Sequence, residues 1–261
     1  MGDTSRTRAE WVGFTTIIIR EFDRIVRIWG QTIVPPVVTA TLYFVIFGSL
    51  IGRRVGEVGG YEYMQFIAPG LIMMTVITNS YGNVVSSFFG AKFGKHFDEL
   101  LVSPMPNWLI LCGYIAGGMV RGLLVGGVVT IVAFFFTRLA VVHVFAILSA
   151  VLLTSMVFSL GGFINALFAK NFDQISWFPT FVLAPLTYLG GVFYSVKMLP
   201  SWAQALSLAN PILYMVSAFR YGFLGTADVD LRLAYGIMIA AVAIMFTLAV
   251  TLLNRGTGIR D

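Results

Sequence analysis

The stretch MQFIAPGLIMMTVITNSYGNVVSSFFGA, Met64 to Ala91, holds no charged residue and gives way to Gly94-Lys95-His96-Phe97-Asp98-Glu99-Leu100-Leu101. A helix of that length crosses a hydrocarbon core about 30 Å thick with residues to spare. The polar segment after it is short enough to sit between two spans as a docking handle. Within the run, Thr75, Thr78, Asn79, Gly82, Asn83 and Ser86 recur at intervals of 3, 1, 3, 1 and 3, which puts all six on one helical face. Unpaired amides are costly in hydrocarbon, so this face looks either at other helices or at a hydrated path.

Composition extends that reading to the whole chain. Hydrophobic residues make up 58% of the 261 residues and charged residues 11%, and the mean hydropathy is +0.87. Soluble domains carry about 25% charged residues, so this is an integral membrane protein. The net charge of +5 is scattered through the amino-terminal segment and the interhelical loops, not clustered with stacking aromatics, which argues against nucleic acid as a partner. The single cysteine, Cys112, lies in an apolar run and leaves no intramolecular disulfide to form. Met1 to Gln31 carries charges of both signs and lacks the apolar core of a cleavable signal peptide.

Runs free or nearly free of charge predict six transmembrane helices, at about 32–52, 64–91, 107–137, 140–169, 174–196 and 233–254. Another uncharged run, Met198 to Phe219, contains Pro200 and Pro211. Two prolines so placed suit two short helices, Pro200 to Ala209 and Pro211 to Phe223, forming a re-entrant hairpin at about 199–223. Before the first span, Trp11, Phe14, Ile18, Phe22, Ile25 and Trp29 form one helical stripe, with Glu10, Arg20, Asp23, Arg24 and Arg27 largely off it. Residues 1–30 therefore read as a cytoplasmic amphipathic interfacial helix and 31–261 as the transmembrane domain, with Pro35 and Pro36 opening the first span. The expected fold is all-α and integral to the membrane.

Six spans put both termini on one side. That side carries ten basic residues: Arg6, Arg8, Arg20, Arg24, Arg27, Lys92, Lys95, Lys170, Arg255 and Arg260. The other carries six: Arg53, Arg54, Arg138, Lys197, Arg220 and Arg232. The bias places both termini in the cytoplasm.

Catalytic chemistry finds little to work with. The histidines are His96 and His143, no His-Glu-x-x-His is present, and no pair of carboxylates lies within a span. Gly90 to His96 has only three residues between its glycines and a histidine where a phosphate loop needs Ser or Thr. No catalytic residue and no metal site is expected, and ATP hydrolysis must come from another subunit. Arg121, in the middle of the third span, must face protein or water and is read as a packing residue bonded to backbone carbonyls. Gly118, Gly122 and Gly126 beside it form a small-residue zipper that admits a second helix. His143 reads as interfacial. The fifth span offers Ser176, Thr180, Thr187 and Gly191 with Trp177, Phe181 and Tyr188, a mixture suited to an amphipathic solute. The candidate pathway is Thr75, Asn79, Asn83, Ser86, Thr180, Phe181 and Tyr188.

The run Phe178-Pro179-Thr180-Phe181-Val182-Leu183-Ala184-Pro185-Leu186-Thr187-Tyr188-Leu189-Gly190-Gly191-Val192-Phe193-Tyr194 is followed by Leu199-Pro200, Asn210-Pro211 and Arg220-Tyr221-Gly222. With Pro69-Gly70-Leu71 and Glu99-Leu100-Leu101-Val102-Ser103-Pro104, it resembles the signature of ABC-2 type export permeases over nearly the whole chain, and most of all their YadH-like bacterial members. The resemblance implies the type V exporter fold and a homodimer in the bacterial inner membrane. Each permease would bind a separate ATP-binding-cassette ATPase, two copies in all, which supply the ATP and magnesium. It implies that Lys95, His96, Phe97, Asp98, Glu99, Leu100 and Leu101 belong to a coupling helix, at about 94–103, seated in the ATPase. It also implies that Phe193 and Tyr194 help form an outer gate. The cargo expected is a lipid-linked, glycan or amphipathic drug-like molecule. A self-contained secondary carrier or channel would show intramembrane ionisable residues or paired broken helices. A lipid transferase would show acids or histidines clustered at one interface.

Overall fold

The computed structural model describes residues 3–94 and 105–258. Its helices are α1 (Asp3–Arg27), α2 (Trp29–Tyr43), α3 (Tyr63–Phe93), α4 (Asn107–Phe136), α5 (Val144–Phe168), α6 (Phe172–Phe178), α7 (Ala184–Tyr188), α8 (Ser201–Leu208), α9 (Pro211–Leu224) and α10 (Leu231–Arg255). A π-helical stretch, Phe44–Gly52, prolongs α2, and a second, Pro179–Leu183, joins α6 to α7. A two-residue turn at Gly59 and Gly60, both at positive φ, closes a small antiparallel hairpin that pairs Glu57 with Glu62 and Val58 with Tyr61.

Apart from α1, the long helices stand where charged residues are scarce. Four segments among the described residues are long and apolar enough to cross a membrane: Trp29–Gly52, Asn107–Phe136, Val144–Phe168 and Leu231–Arg255. The longest helix is α3, which packs against α4 and α5 along its length and against α9 near its start. One apolar cluster surrounds Ile67, Leu71, Val76, Val129, Met215 and Phe219. Another gathers Ile17, Val84, Phe88, Tyr114, Phe163 and Leu253, with the Phe88 ring 4.2 Å from that of Phe163 and 5.4 Å from that of Tyr114.

The connections collect at two ends of the bundle. At the first end, Val142 and His143 donate backbone bonds to Gly222, Tyr61 Oη donates to the Leu224 carbonyl, and Gln65 reaches the Arg138 carbonyl. At the second end, the tail of α3 meets that of α5, and Asn107 at the start of α4 donates to Asn254 near the end of α10.

Three expectations are corrected. Pro35 and Pro36 do not open a helix; they lie inside α2, which already begins at Trp29. Each proline removes one backbone donor there, a defect a helix tolerates where neighbours cover the freed carbonyls. The fifth helical run stops at Tyr188, short of 196, because Gly191 adopts φ +71 and Gly190 lies against Ile212, where an added Cβ would stand 2.6 Å from Ile212 Cγ2. The fourth begins at Val144, not 140, since the chain before it runs extended to bond Gly222.

The amino-terminal helix packs closely on the bundle. It runs alongside α4 in the same direction, Ile17 against Gly113 and Glu21 against Gly117, where even a methyl group would stand 2.6 to 2.8 Å from the neighbour. Its inward face is Ile17, Glu21 and Ile25, all buried, while Trp11, Phe22 and Trp29 of the aromatic stripe are at least half exposed. Two glycines on α4 permit this approach, and the periodicity of α1 alone does not reveal them.

Candidate functional site

The polar face of α3 is its least covered face, and the structure divides it in two. Thr75 and Thr78 donate to the carbonyls of Leu71 and Met74, and Asn79 Nδ2 donates to the Thr75 carbonyl at 3.0 Å. These internal bonds satisfy the donors while leaving the residues on a groove of about 280 Å³ whose other wall is Pro35, Pro36, Thr39 and Tyr43 of α2. One turn further on, Asn83 is fully buried and committed to α1: its Oδ1 and backbone carbonyl accept from Arg24 at 2.8 and 3.0 Å. Ser86 also accepts from Arg24, at 3.2 Å. So Thr75 and Asn79 line an open groove, whereas Asn83 and Ser86 hold a helix in place.

Thr180 donates to the Ser176 carbonyl and, with Phe181, faces outward from the π-helical stretch. Tyr188 meets Tyr43 through their hydroxyls at 3.4 Å and stacks on Phe193 at 6.0 Å. Phe193 also packs on Phe47 at 4.7 Å and on Tyr43 at 6.0 Å, and its carbonyl accepts from Tyr63. Tyr194 is half-buried beside it. Tyr43 thus belongs both to the groove and to the ring cluster, joining the two sets of candidate residues. Sequence reading passed over Tyr43, because one tyrosine in an apolar run carries no periodic signal.

The zipper glycines lie against helices of their own chain. A Cβ on Gly118 would stand 2.5 Å from Val84 Cγ2 and 3.0 Å from the Ser80 carbonyl oxygen of α3, and one on Gly126 2.6 Å from Val76 Cγ2. Gly122 faces the Ser80 hydroxyl, with Ser155 of α5 behind. Arg121, between these glycines, makes no hydrogen bond among the described residues, and its Nε is buried without a partner. The expected bonds to backbone carbonyls are absent there.

The proposed coupling residues Lys95, His96, Phe97, Asp98, Glu99, Leu100 and Leu101 lie outside the described residues. Their root on α3 is firmly attached. Lys92 Nζ donates to the carbonyls of Leu167 and Ala169 at 2.7 and 2.9 Å, covering acceptors at the end of α5 that no helical N–H can reach. Phe172, which opens α6, packs on Phe89 and Phe93 at 5.0 and 5.3 Å. The end of α3 is thereby tied to α5 and α6.

Two buried charges escaped the sequence reading. Glu21, 1% exposed, pairs with Arg24 at 3.1 Å and accepts from Ser87 and Asn83. Arg220, also 1% exposed, pairs with Asp228 at 3.0 Å, donates to the carbonyls of Gly191 and Phe66 at 2.6 and 3.2 Å, and covers the Phe66 ring. It ties α9 to the start of α3, the Gly190–Gly191 turn and the loop before α10. The available signal was positional: Glu21 sits four residues from both Ile17 and Ile25, and Arg220 interrupts an apolar helix. No group of three or more His, Cys, Asp or Glu that could hold a metal occurs among the described residues.

The profile of the ABC-2 type transporter family matches residues 12–224. The chain is 53% identical to the inner membrane transport permease YadH of Escherichia coli strain K12 over 251 residues, 96% of this chain and 98% of that one. It is 25% identical to nodulation protein J of Rhizobium leguminosarum bv. viciae over 218 residues, 82% and 83% of the two chains.

Proposed function

The chain belongs to the ABC-2 type transporter family, and from that premise we propose that it is the membrane-spanning permease subunit of an ATP-driven exporter in a bacterial inner membrane. The observation that carries the proposal is the uncovered part of the polar face of α3, Thr75, Thr78 and Asn79, open to a groove and continuous through Tyr43 with a ring cluster. A helix in lipid keeps such a face only if a path or a second subunit covers it.

In this reading there are six crossings: α2 with its π-helical extension, α3, α4, α5, the α6–α7 run and α10. The α8–α9 pair is a re-entrant hairpin from the first end of the bundle. In support, α9 has 14 residues, about 21 Å, too short to cross the core, and Asn210 at its start donates to the Leu186 carbonyl of α7. The first end faces outward and the second, with both termini, faces the cytoplasm, as the excess of basic residues favours.

Two permeases pair with two ATPase subunits, which bind ATP and magnesium, and residues 95–101 engage the ATPase. Closure of the ATPases pushes on the root of α3, and the staple from Lys92 carries the movement to α5. The Tyr43, Tyr188 and Phe193 rings then part to release a lipid-linked, glycan or amphipathic cargo, with Thr75, Asn79, Thr180 and Phe181 along its way.

The test is co-purification with a phosphate-loop ATPase, followed by replacement of Asp98 and Glu99 with lysine. Transport-coupled hydrolysis should fall at least tenfold while the permease still inserts and assembles. Failure to recover any ATPase, or full coupling in the double variant, would overturn the proposal.

A further inference from the structure

The groove between α1 and α3 has a volume of about 580 Å³, and its polar lining is Thr16, Arg20, Arg24, Arg27, Ser86 and Ser87, with the acids Glu21 and Asp23. The three arginines stand three and four residues apart on one side of α1. Two of them are held in place. Arg24 is fixed by Glu21, Asn83 and Ser86, and Arg20 Nη2 donates to Tyr114 Oη at 2.9 Å over the tyrosine ring. Arg27 makes no hydrogen bond or ion pair among the described residues.

The acids do not balance them. Both oxygens of Glu21 are already engaged by Ser87, Arg24 and Asn83. Three guanidiniums therefore line the groove against two carboxylates, one of which is spent. Arginine presents planar, pre-oriented donors that match phosphate oxygens, and a concave site with low-dielectric walls concentrates the field.

We infer that this groove binds a phosphate-bearing anion, its oxygens taken by Arg20 and Arg27. Ile19 on the rim is exposed and continues into exposed Phe22 and Val26, a surface on which acyl chains can lie. The anion is either the headgroup of a phosphorylated lipid or a free phosphate compound; its access from the inner leaflet rests on the orientation proposed above.

Isothermal titration of the purified full-length permease in neutral detergent decides this, with dihexanoyl phosphatidic acid, dihexanoyl phosphatidylcholine and inorganic diphosphate as probes. Phosphatidic acid should bind at least tenfold more tightly than the zwitterionic lipid, and affinity should fall with salt. Arg27→Gln should weaken binding about tenfold and Arg20→Gln/Arg27→Gln further, while Arg8→Gln, which removes the same charge elsewhere on α1, should not. Arg27 has no bond to lose, so its variant should elute and unfold like the parent. Displacement of phosphatidic acid by equimolar diphosphate assigns a free anion; a requirement for the acyl chains assigns a lipid. Equal affinity for both lipids without diphosphate binding, or parent-like binding by the arginine variants, overturns the inference. Because no ATPase enters the titration, a missing ATPase would sink the exporter reading and leave this result standing, whereas a coupled ATPase beside an empty groove would sink only the site.

Discussion

The glycine row on α4 makes the sharpest prediction, because the structure ranks its members. At Gly118 an alanine Cβ would stand 2.5 Å from Val84 Cγ2 and 3.0 Å from the Ser80 carbonyl oxygen. Ordinary contacts are about 3.5 Å or more, and a backbone carbonyl cannot rotate away, so α3 and α4 must separate. Overpacking of this kind destabilises by about 1–3 kcal/mol, against which alanine recovers up to about 1 kcal/mol of helix propensity. At Gly122 the obstacle is only the Ser80 hydroxyl, which is buried, unbonded and able to turn, at a penalty of about 0.5–1.5 kcal/mol. At Gly127 nothing lies within 4 Å.

Purified single-site variants, unfolded by titration with a denaturing detergent and followed by tryptophan fluorescence, should therefore rank Gly118→Ala least stable, Gly122→Ala next and Gly127→Ala equal to the parent or better. Ser80→Ala should rescue Gly122→Ala, since the nearest remaining Ser80 atom is then 3.3 Å away. The deficit belongs to a single subunit and not to assembly, because the partners are α3 and α5 of the same chain. A Gly118→Ala protein as stable as Gly127→Ala, or no rescue by Ser80→Ala, would refute the packing argument.

Two more outcomes follow from the buried charges. Asp228→Ala should destabilise by about 3–5 kcal/mol, since it strands Arg220 in a site 1% exposed. Arg220→Lys should also destabilise, because one ammonium cannot span acceptors on three segments; a change under about 1 kcal/mol in both, by the same unfolding titration, would count against this clamp. Glu21→Ala should loosen α1 by about 1–2 kcal/mol, a modest figure because Arg24 is 28% exposed and water takes up part of the loss. Trypsin should then cut faster after Arg20, Arg24 and Arg27, and an unchanged cleavage rate would remove Glu21 from its holding role.

How much of this was legible in advance varies by residue. The break between α8 and α9 stands in the sequence as Asn210-Pro211, since the Asn210 side chain caps Ile212 and proline suits the first helical turn. The polar face of α3 was legible from spacing, but its division was not, because Asn83 and Asn79 occupy one stripe and differ only in what stands opposite. The early end of the fifth helical run was hidden as well: Gly190 and Gly191 could continue a helix or end one, and Ile212 packed against Gly190 decides the matter.

The sequence by itself determined that this chain lives in a membrane, where its long helices run, and which of their faces are polar or small, because burial in lipid imposes length and periodicity on composition directly. Only the tertiary structure decided which helix covers which face: that the α4 glycines receive α1, α3 and α5, that Asn83 serves Arg24, and that Arg220 and Glu21 are buried and paired. A periodic pattern specifies a surface to be covered, while the identity of its partner depends on contacts between residues far apart in the chain, such as Glu21 with Asn83 and Arg220 with Phe66, which no local spacing encodes.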